Sequence, residues 1–203
     1  MKIICIGRNY VNHAKELNNP VPSEPVVFIK PDSAILQTNK PFFIPQFTNE
    51  IHHELEVVVK INRVGKHIQK KFAHKYYDSI SVGIDFTARD LQSQLKAKGL
   101  PWEKAKAFDG SAPIGKMVKV TPEMDLNNLD FSLTKNGKVV QKGNTKDMIF
   151  SINSIIEHVS KYFTLKIGDL IYTGTPAGVS KVEIGDELIA SLSGHELLKT
   201  SIR

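Results

Sequence analysis

The sequence has 203 residues, of which 41% are hydrophobic and 24% charged, and these values predict a single globular domain over residues 1–203. Its one cysteine, Cys5, excludes an intrachain disulfide and a zinc site built from several cysteines of this chain. A chain without disulfides suits a reducing compartment, so we expect a cytoplasmic protein. No apolar run approaches the roughly 20 residues of a membrane helix, and we therefore expect no membrane partner.

The charge balance is mildly basic, because 27 Lys and Arg residues exceed 21 Asp and Glu residues and give a formal charge of +6. Only four of the basic residues are arginines, and the lysines are scattered along the chain. Nucleic-acid-binding proteins usually concentrate their basic residues and use arginine for bidentate contacts, so we expect no nucleic-acid partner. A mildly positive field instead favours a small anionic substrate.

Strands dominate the elements predicted for the first half of the chain, where short runs are rich in β-branched residues. In chain order, the predicted elements are a strand at 2–6, a short helix at 9–18 ended by Asn18-Asn19-Pro20, and strands at 26–30, 54–62 and 81–85.

The second half begins with a predicted helix over residues 88–98, for which Thr87 and Asp90 have the spacing of a capping box and Gly99 is the stop signal. Asn136-Gly137 between two alternating apolar runs predicts a hairpin with a type I′ turn. The remaining predicted elements are a helix at 152–163 and strands near 170–174 and 187–192. Many strands, few helices and no regular strand–helix alternation indicate a β-rich α+β fold.

Two glutamates stand out in the stretch from Ile51 to Val59, which reads Ile-His-His-Glu-Leu-Glu-Val-Val-Val. Successive side chains of a strand point to opposite faces, so Glu54 and Glu56 share one face. Their carboxylates repel each other, and a hard divalent cation with oxygen ligands would compensate them. The alternative interpretation is a polar strand face exposed to solvent.

Asp85 ends an apolar run just before the predicted helix, which is a common place for a functional carboxylate. Capping of that helix is the alternative interpretation. If Asp85 joined Glu54 and Glu56, the three would form an open oxygen-ligand site that suits Mg²⁺ or Mn²⁺.

His13 and Glu16 are three residues apart on the first predicted helix, so their side chains can touch. A carboxylate that orients a histidine makes a water-activating base, whereas the alternative is a solvated helix face. Lys106 and Thr175 are further candidates, for which a surface lysine and an ordinary turn are the alternatives.

A series of motifs follows along almost the whole chain. They are Gly7-Arg8-Asn9-Tyr10 with His13 and Glu16, Phe28-Ile29-Lys30-Pro31, His53-Glu54-Leu55-Glu56, Asp85-Phe86-Thr87-Ala88-Arg89-Asp90 with Gln92, Gly99-Leu100-Pro101-Trp102 with Lys106, Met148-Ile149-Phe150-Ser151 and Thr173-Gly174-Thr175-Pro176-Ala177-Gly178-Val179. In this order they resemble the fumarylacetoacetate hydrolase family, and specifically its short single-domain branch of acylpyruvate hydrolases and oxaloacetate decarboxylases.

The resemblance implies the fold of that family, a mixed β-sandwich roll with a few short helices, and a homodimer. It implies a divalent metal, usually Mg²⁺ with Mn²⁺ or Ca²⁺ as alternatives, bound by Glu54, Glu56 and Asp85. The implied catalytic residues are His13 and Glu16, on a helix that can act as a lid, and Lys106. Gln92 and Thr175 are implied to bind the substrate, and Arg8 and Lys30, grouped with these substrate-binding residues, match positions that line or support the site.

The activity implied first is metal-dependent hydrolysis of the C–C bond of acylpyruvates or related 2,4-dioxo acids, and the same site could also decarboxylate oxaloacetate. A metal acting as a Lewis acid would stabilise the enolate released by C–C cleavage, and His13 backed by Glu16 would generate the attacking hydroxide. Decarboxylation or tautomerisation of oxaloacetate needs only the enolate half of this chemistry. The alternatives are therefore an isomerase or tautomerase of unsaturated 2-oxo or 2-hydroxy diacids, an oxaloacetate tautomerase, and a non-catalytic binder of oxo acids.

Overall fold

The structure, a computed structural model, describes residues 1–16 and 20–203, without the side chains of residues 14 and 15. The helices are α1 (Val11–Glu16), α2 (Arg89–Ala97), α3 (Glu103–Lys106) and α4 (Ile152–Tyr162). The strands are β1 (Lys2–Gly7), β2 (Val26–Pro31), β3 (Ile35–Gln37), β4 (Ile51–His53), β5 (Leu55–Ile61), β6 (Tyr77–Ile84), β7 (Thr87–Ala88), β8 (Ala112–Ile114), β9 (Val118–Lys119), β10 (Asp130–Lys135), β11 (Lys138–Asn144), β12 (Leu170–Tyr172), β13 (Ser180–Lys181), β14 (Glu187–Leu192) and β15 (His195–Ser201). The end of the predicted helix 9–18 lies outside the described residues.

The strands form three sheets. The largest has the order β2-β1-β12-β5-β6-β8-β3, with β9 paired to β6, and it is mixed because β1–β12 and β3–β8 are parallel. A four-stranded antiparallel sheet has the order β11-β10-β14-β15, and a small sheet has the order β13-β4-β7. This arrangement confirms the predicted β-rich α+β fold. Within the described residues, no helix is both long enough and apolar enough to span a membrane.

The core lies on both faces of β5, which explains its run of apolar residues. Val57 and Val59 belong to the main hydrophobic cluster, together with Leu133 and Ala190 of the four-stranded sheet. Val58 points the other way, into a second cluster with Tyr172. Because β5 is covered on both faces, polar side chains at its start can be buried as well.

The predicted strand 54–62 differs from the observed one in a way that matters for the site. The chain pairs with β7 and β13 up to His53, and from Leu55 onward it pairs with β6 and β12. Glu54 is therefore the point at which the chain passes from the small sheet to the large one. The interpretation of Glu54 and Glu56 as a solvent-facing polar surface is wrong, because both side chains are buried.

The capping box predicted for α2 is also wrong. The N-cap residue is Ala88, which has no side-chain hydrogen bond, and Thr87 lies in β7. Asp90 instead accepts hydrogen bonds from Thr48 Oγ1 at 2.5 Å and from the Asn49 backbone N–H at 2.9 Å. The stop signal is confirmed, since Gly99 follows the helix with a left-handed φ of 63°.

The hairpin and the second long helix are confirmed. Asn136 and Gly137 have positive φ values of 53° and 77°, as a type I′ turn between β10 and β11 requires. Helix α4 begins after Ser151, whose hydroxyl oxygen accepts a hydrogen bond from the Ser154 N–H. Its predicted apolar face is buried through the residues Ile152, Ile155, Ile156 and Val159.

Candidate active site

Three carboxylates converge where the chain changes sheets. Because β5 and β6 are antiparallel with Leu55 opposite Ile84, the residues just outside this pair, Glu54 and Asp85, lie side by side. Their backbones are joined by a 2.8 Å hydrogen bond from the Asp85 N–H to the Glu54 carbonyl. Together with Glu56 they offer oxygen atoms that all lie within 4.8 Å of one another. The sequence expectation that these three side chains meet is confirmed.

Glu56 is held by the loop that follows β12. Its Oε2 atom accepts a 2.7 Å hydrogen bond from the Gly174 N–H. Gly174 has a φ of 105°, and a Cβ atom there would lie 2.6 Å from the Cβ atom of Asn9, so only glycine fits. Burial and the neighbouring Asp85 carboxylate raise the pKa of Glu56 well above its ordinary value.

Lys106, from the short helix α3, lies among the carboxylates. Its Nζ atom is 2.8 Å from Glu54 Oε2, 2.7 Å from Asp85 Oδ2 and 2.6 Å from the Thr87 hydroxyl. Burial alone would lower the pKa of Lys106, but the carboxylates of Asp85 and Glu54 outweigh it and raise the pKa. Lys106 is thus a fully charged, buried cation and not the surface lysine of the alternative interpretation.

Lys30 supports Asp85 from the opposite side. Its Nζ atom lies 2.8 Å from Asp85 Oδ1 and donates hydrogen bonds to the Ser111 hydroxyl at 2.9 Å and to the Ser111 and Lys106 carbonyls. Its exposed fraction is 0%. Of the two expected positions, lining or supporting the site, Lys30 takes the supporting one, because it contacts Asp85 and does not line the cavity.

Arg89, the first residue of α2, forms an ion pair with Glu54 Oε1 through Nη2. Its Nη1 atom donates a 2.5 Å hydrogen bond to Gln92 Oε1, so this arginine and the expected substrate-binding Gln92 are coupled. Burial would raise the pKa of Glu54, but Lys106 and Arg89 together lower it below its ordinary value.

His13 and Glu16 form the predicted pair at the edge of the site, with His13 Nδ1 located 3.3 Å from Glu16 Oε2. Glu16 also accepts hydrogen bonds from the Gly178 N–H at 3.0 and 3.2 Å, which ties α1 to the loop after β12. His13 is buried, so the alternative of a solvated helix face does not hold for this residue.

A cavity of about 40 Å³ lies between these groups. It is lined by Ile6, Gly7, Arg8, His13, Phe28, Glu54, Glu56, Asp85, Arg89, Gln92, Lys96, Trp102, Lys106 and Thr175. Most of the predicted site residues are therefore brought together. The sequence alone gives no individual role to four further lining residues, Arg89, Lys96, Phe28 and Trp102. The scarcity of arginine could have pointed to Arg89, because two of the four arginines line this cavity.

The carboxylate cluster fits a divalent metal ion by its donor chemistry. All the atoms it offers are carboxylate oxygens, which are the ligands that Mg²⁺ and Mn²⁺ prefer. Among the side chains that the structure describes, which do not include those of residues 14 and 15, none forms an ion pair with Glu56, although Glu56 is buried beside another carboxylate. The Asp85 Oδ1 atom, by contrast, is already paired with the Lys30 ammonium group at 2.8 Å. A bound cation would therefore chiefly stabilise the Glu56 carboxylate.

A buried set of oxygen ligands beside a histidine–carboxylate pair, within a mixed β fold, has the donor chemistry that a metal-assisted enzyme site requires. The chain belongs to the fumarylacetoacetate hydrolase family, because residues 2–203 match the model of the C-terminal domain of fumarylacetoacetate hydrolase. The resemblance seen in the sequence motifs is thereby confirmed.

The chain is 42% identical over 197 residues to the oxaloacetate tautomerase YcgM of Escherichia coli K12, covering 97% of this chain and 90% of that protein. It is also 42% identical over 194 residues to a mitochondrial oxaloacetate decarboxylase of Dictyostelium discoideum, covering 95% of this chain and 89% of that protein. Among solved structures, it is similar to the fumarylpyruvate hydrolase of Pseudomonas aeruginosa in complex with Mn²⁺ and pyruvate. That similarity has a TM-score of 0.94 and 33% identity, and it covers 100% of this chain and 89% of the other.

Proposed function

We propose that this protein is a divalent-metal-dependent tautomerase that interconverts the keto and enol forms of oxaloacetate or a closely similar small 2-oxo dicarboxylate. The observation that carries the proposal is the position of His13, which lines the same small cavity as the three carboxylates and several cations. The 42% identity to an oxaloacetate tautomerase and to an oxaloacetate decarboxylase supports the same substrate.

The size and charge of the cavity favour a small dianion. Pockets for drug-sized ligands measure roughly 300–1,000 Å³, whereas this cavity measures about 40 Å³. Arg8, Arg89 and Lys96 lie in its wall. Two carboxylates on one short substrate would therefore each meet positive charge, and Thr175 adds a hydroxyl group that can bind one of them.

Glu54, Glu56 and Asp85 are the residues that would hold Mg²⁺ or Mn²⁺. When bound, the ion supplies Lewis-acid stabilisation of negative charge that develops on a substrate oxygen. The protein itself contributes positive charge, because the Lys106 and Arg89 side chains both form ion pairs with Glu54 beside the cavity. Phe28 and Trp102, whose ring centroids lie 6.2 Å apart, line the cavity with aromatic surface.

His13 is the residue that moves the proton. Its contact with Glu16 occupies Nδ1, which leaves Nε2 as the ring nitrogen available to the cavity. In the keto-to-enol direction, Nε2 accepts the proton from C3, the C–H electron pair forms the C2=C3 double bond, and the C=O π pair moves onto the 2-oxo oxygen. The imidazolium then gives the same proton to that oxygen, which completes the enol and restores neutral His13. Glu16 stabilises the imidazolium that forms and fixes the ring orientation. Decarboxylation uses the same electron sink without needing a base.

Hydrolysis of acylpyruvates, the activity expected first from the sequence, is the second candidate. It is supported by the His13–Glu16 pair, which could also activate water, and by the similarity to a fumarylpyruvate hydrolase. The two candidates differ in the bond that changes. Hydrolysis requires water to attack a carbonyl carbon and breaks a C–C bond, whereas tautomerisation only moves a proton. Parallel assays on both substrates therefore distinguish them.

The test follows the ultraviolet absorbance of enol-oxaloacetate as it converts to the keto form, with Mg²⁺ present and the metal-only rate subtracted. We expect His13→Ala to lower the tautomerisation rate by about 10²–10⁴-fold, the usual value of a general base. Decarboxylation should fall much less, and Glu54→Ala should abolish both. His195→Ala, at an exposed position in the β14–β15 hairpin, is the matched control. A wild-type rate equal to that of Mg²⁺ alone would contradict the proposal, and pyruvate release from acetylpyruvate would then favour hydrolysis.

We also propose a homodimer in the cytoplasm, as the sequence predicts. Strands β2 and β11 each end a sheet and have one strand neighbour in the described part of the chain, so each offers an edge to a second copy. Light scattering at micromolar concentration tests the assembly, and a monomeric mass would contradict it.

A further inference from the structure

A line of buried polar side chains runs behind the cavity from the small sheet to Thr175. Ser180 Oγ lies 2.8 Å from His53 Nε2, and His53 Nδ1 lies 2.8 Å from Gln141 Oε1. Gln141 Nε2 lies 2.9 Å from Thr175 Oγ1. His53, Gln141 and Thr175 are all buried, and of the four only Thr175 lines the cavity.

The direction of every hydrogen bond in this line follows from one backbone group. The Leu55 N–H can only donate, and it points at the Gln141 side chain over 3.0 Å, so the atom it meets is the amide oxygen. His53 Nδ1 contacts the same oxygen and must therefore carry a proton. His53 Nε2 is then an acceptor, and the Ser180 hydroxyl donates to it.

The amide nitrogen of Gln141 sets the state of Thr175. It donates to Thr175 Oγ1 at 2.9 Å and to the Pro176 carbonyl at 3.0 Å, which uses both of its protons. Thr175 Oγ1 therefore acts as an acceptor toward Gln141. The proton of Thr175 has only a long 3.4 Å contact to the Pro176 carbonyl, so it is available to an acceptor in the cavity.

We propose that Gln141 is a positioning residue that makes Thr175 a hydrogen-bond donor to the substrate carboxylate and thereby selects an anion over a neutral amide at that position. The inference rests on the proposed function, in which Thr175 binds substrate. Gln141 does not touch the substrate itself. The β10–β11 hairpin has a bulge next to Gln141, because its register shifts between Leu133, which lies opposite Gln141, and Thr134. Gln141 is buried there, between two less buried neighbours, and this inward position supports the role.

Gln141→Glu tests the direction of the hydrogen bond. A glutamate keeps the acceptor for Leu55 and His53, but toward Thr175 it accepts, so the hydroxyl proton turns away from the cavity. The probes are pyruvate and its neutral amide, pyruvamide, titrated by calorimetry into the Mg²⁺-loaded protein. We expect pyruvate affinity to fall by about 10–100-fold, the usual value of a hydrogen bond to a charged group. Pyruvamide affinity should change much less, because its N–H group can donate to the reoriented Thr175 oxygen.

Thr175→Val removes the hydroxyl group and completes a double-mutant cycle. If Gln141 acts through Thr175, the two substitutions should be strongly non-additive, because residues in one hydrogen-bond network are coupled. Gln141→Glu in the Thr175→Val background should then change pyruvate affinity by less than about twofold. Thr175→Ser, which keeps the hydroxyl group, should bind pyruvate like the wild type. An undiminished effect of Gln141→Glu in the Thr175→Val background would overturn the inference and indicate a direct charge effect.

Two further measurements keep the result interpretable. If the buried glutamate prevents folding, Gln141→Leu enters the same cycle, and each variant's thermal midpoint shows whether it is folded. With oxaloacetate, the Gln141 variants should raise KM while kcat changes by less than about threefold, because a ground-state binding contact is lost. A wild type that binds pyruvate but does not turn over oxaloacetate would refute the proposed function alone, since the binding cycle reports on Gln141 separately.

Discussion

Lys30→Met is predicted to destabilise the protein strongly, because the Lys30 side chain is fully buried, although it does not line the cavity. Methionine keeps the length of the apolar stem but removes the ammonium group. The Asp85 Oδ1 atom then loses its cation at 2.8 Å, and the Ser111 carbonyl and hydroxyl lose a buried donor. Removing one partner of a buried ion pair typically costs about 3–5 kcal/mol.

The lower end of that range applies here because Asp85 keeps Lys106 at 2.7 Å on its other oxygen. A loss of about 3 kcal/mol, divided by a urea dependence of about 2 kcal/mol/M, shifts the urea midpoint down by about 1.5 M. The assay is urea unfolding followed by circular dichroism in excess EDTA, so that no metal ion compensates the carboxylates.

The matched control is Lys119→Met, which breaks an ion pair of nearly the same length. Lys119 Nζ lies 2.7 Å from Asp78 Oδ2, but the side chain of Lys119 is 74% exposed. Exposed ion pairs contribute little, so its urea midpoint should equal that of the wild type. Equal midpoints for the two variants would refute the reasoning that burial makes Lys30 essential to Asp85.

Three further predictions concern a glycine beside the site, a buried ion pair of the largest sheet and the effect of Mg²⁺ on stability. Gly174→Ala should lower both the thermal midpoint and the metal affinity, because its Cβ would clash with Asn9 and its φ is positive; a midpoint like that of the wild type would contradict this. Asp169→Asn should cost about 1–3 kcal/mol at pH 7, since a buried carboxylate hydrogen-bonded to Lys2 is lost. Burial alone would raise the pKa of Asp169, but Lys2 and backbone N–H groups lower it. The Asp169 carboxylate therefore stabilises the fold above about pH 4, and this stabilisation fades as the pH falls further. The urea midpoints of the wild type and of Asp169→Asn should accordingly converge in acid. Mg²⁺ at 100 times its Kd should add about 2.7 kcal/mol to stability, and Glu56→Gln should abolish most of that gain.

The convergence of the three carboxylates could be predicted from sequence because its signal is local. Period-two alternation places Glu54 and Glu56 together, and Asp85 ends an apolar strand that is long enough to pair beside them. The motifs of the family then identify the same three residues. The pairing register of β5 with β6 is the physical reason why the prediction succeeds.

The supporting residues could not be predicted in the same way, because their partners are distant in the chain. Lys30 stands in a strand that looks like any edge strand, and its contact with Asp85 depends on tertiary packing. Gln141 contacts Leu55 from 86 residues away. Thr87 had a good local reason to be a helix cap, but the buried Lys106 ammonium binds its hydroxyl group instead.

The hydrogen bond between Glu56 and Gly174 joins residues that are 118 positions apart. Its formation requires β12 to be docked between β1 and β5, so the third carboxylate reaches its final position only after the two ends of the chain have come together. Closing so long a loop is entropically costly and slow. Metal uptake during refolding should therefore lag behind the formation of the β5–β6 hairpin, and the ion would report on completed folding.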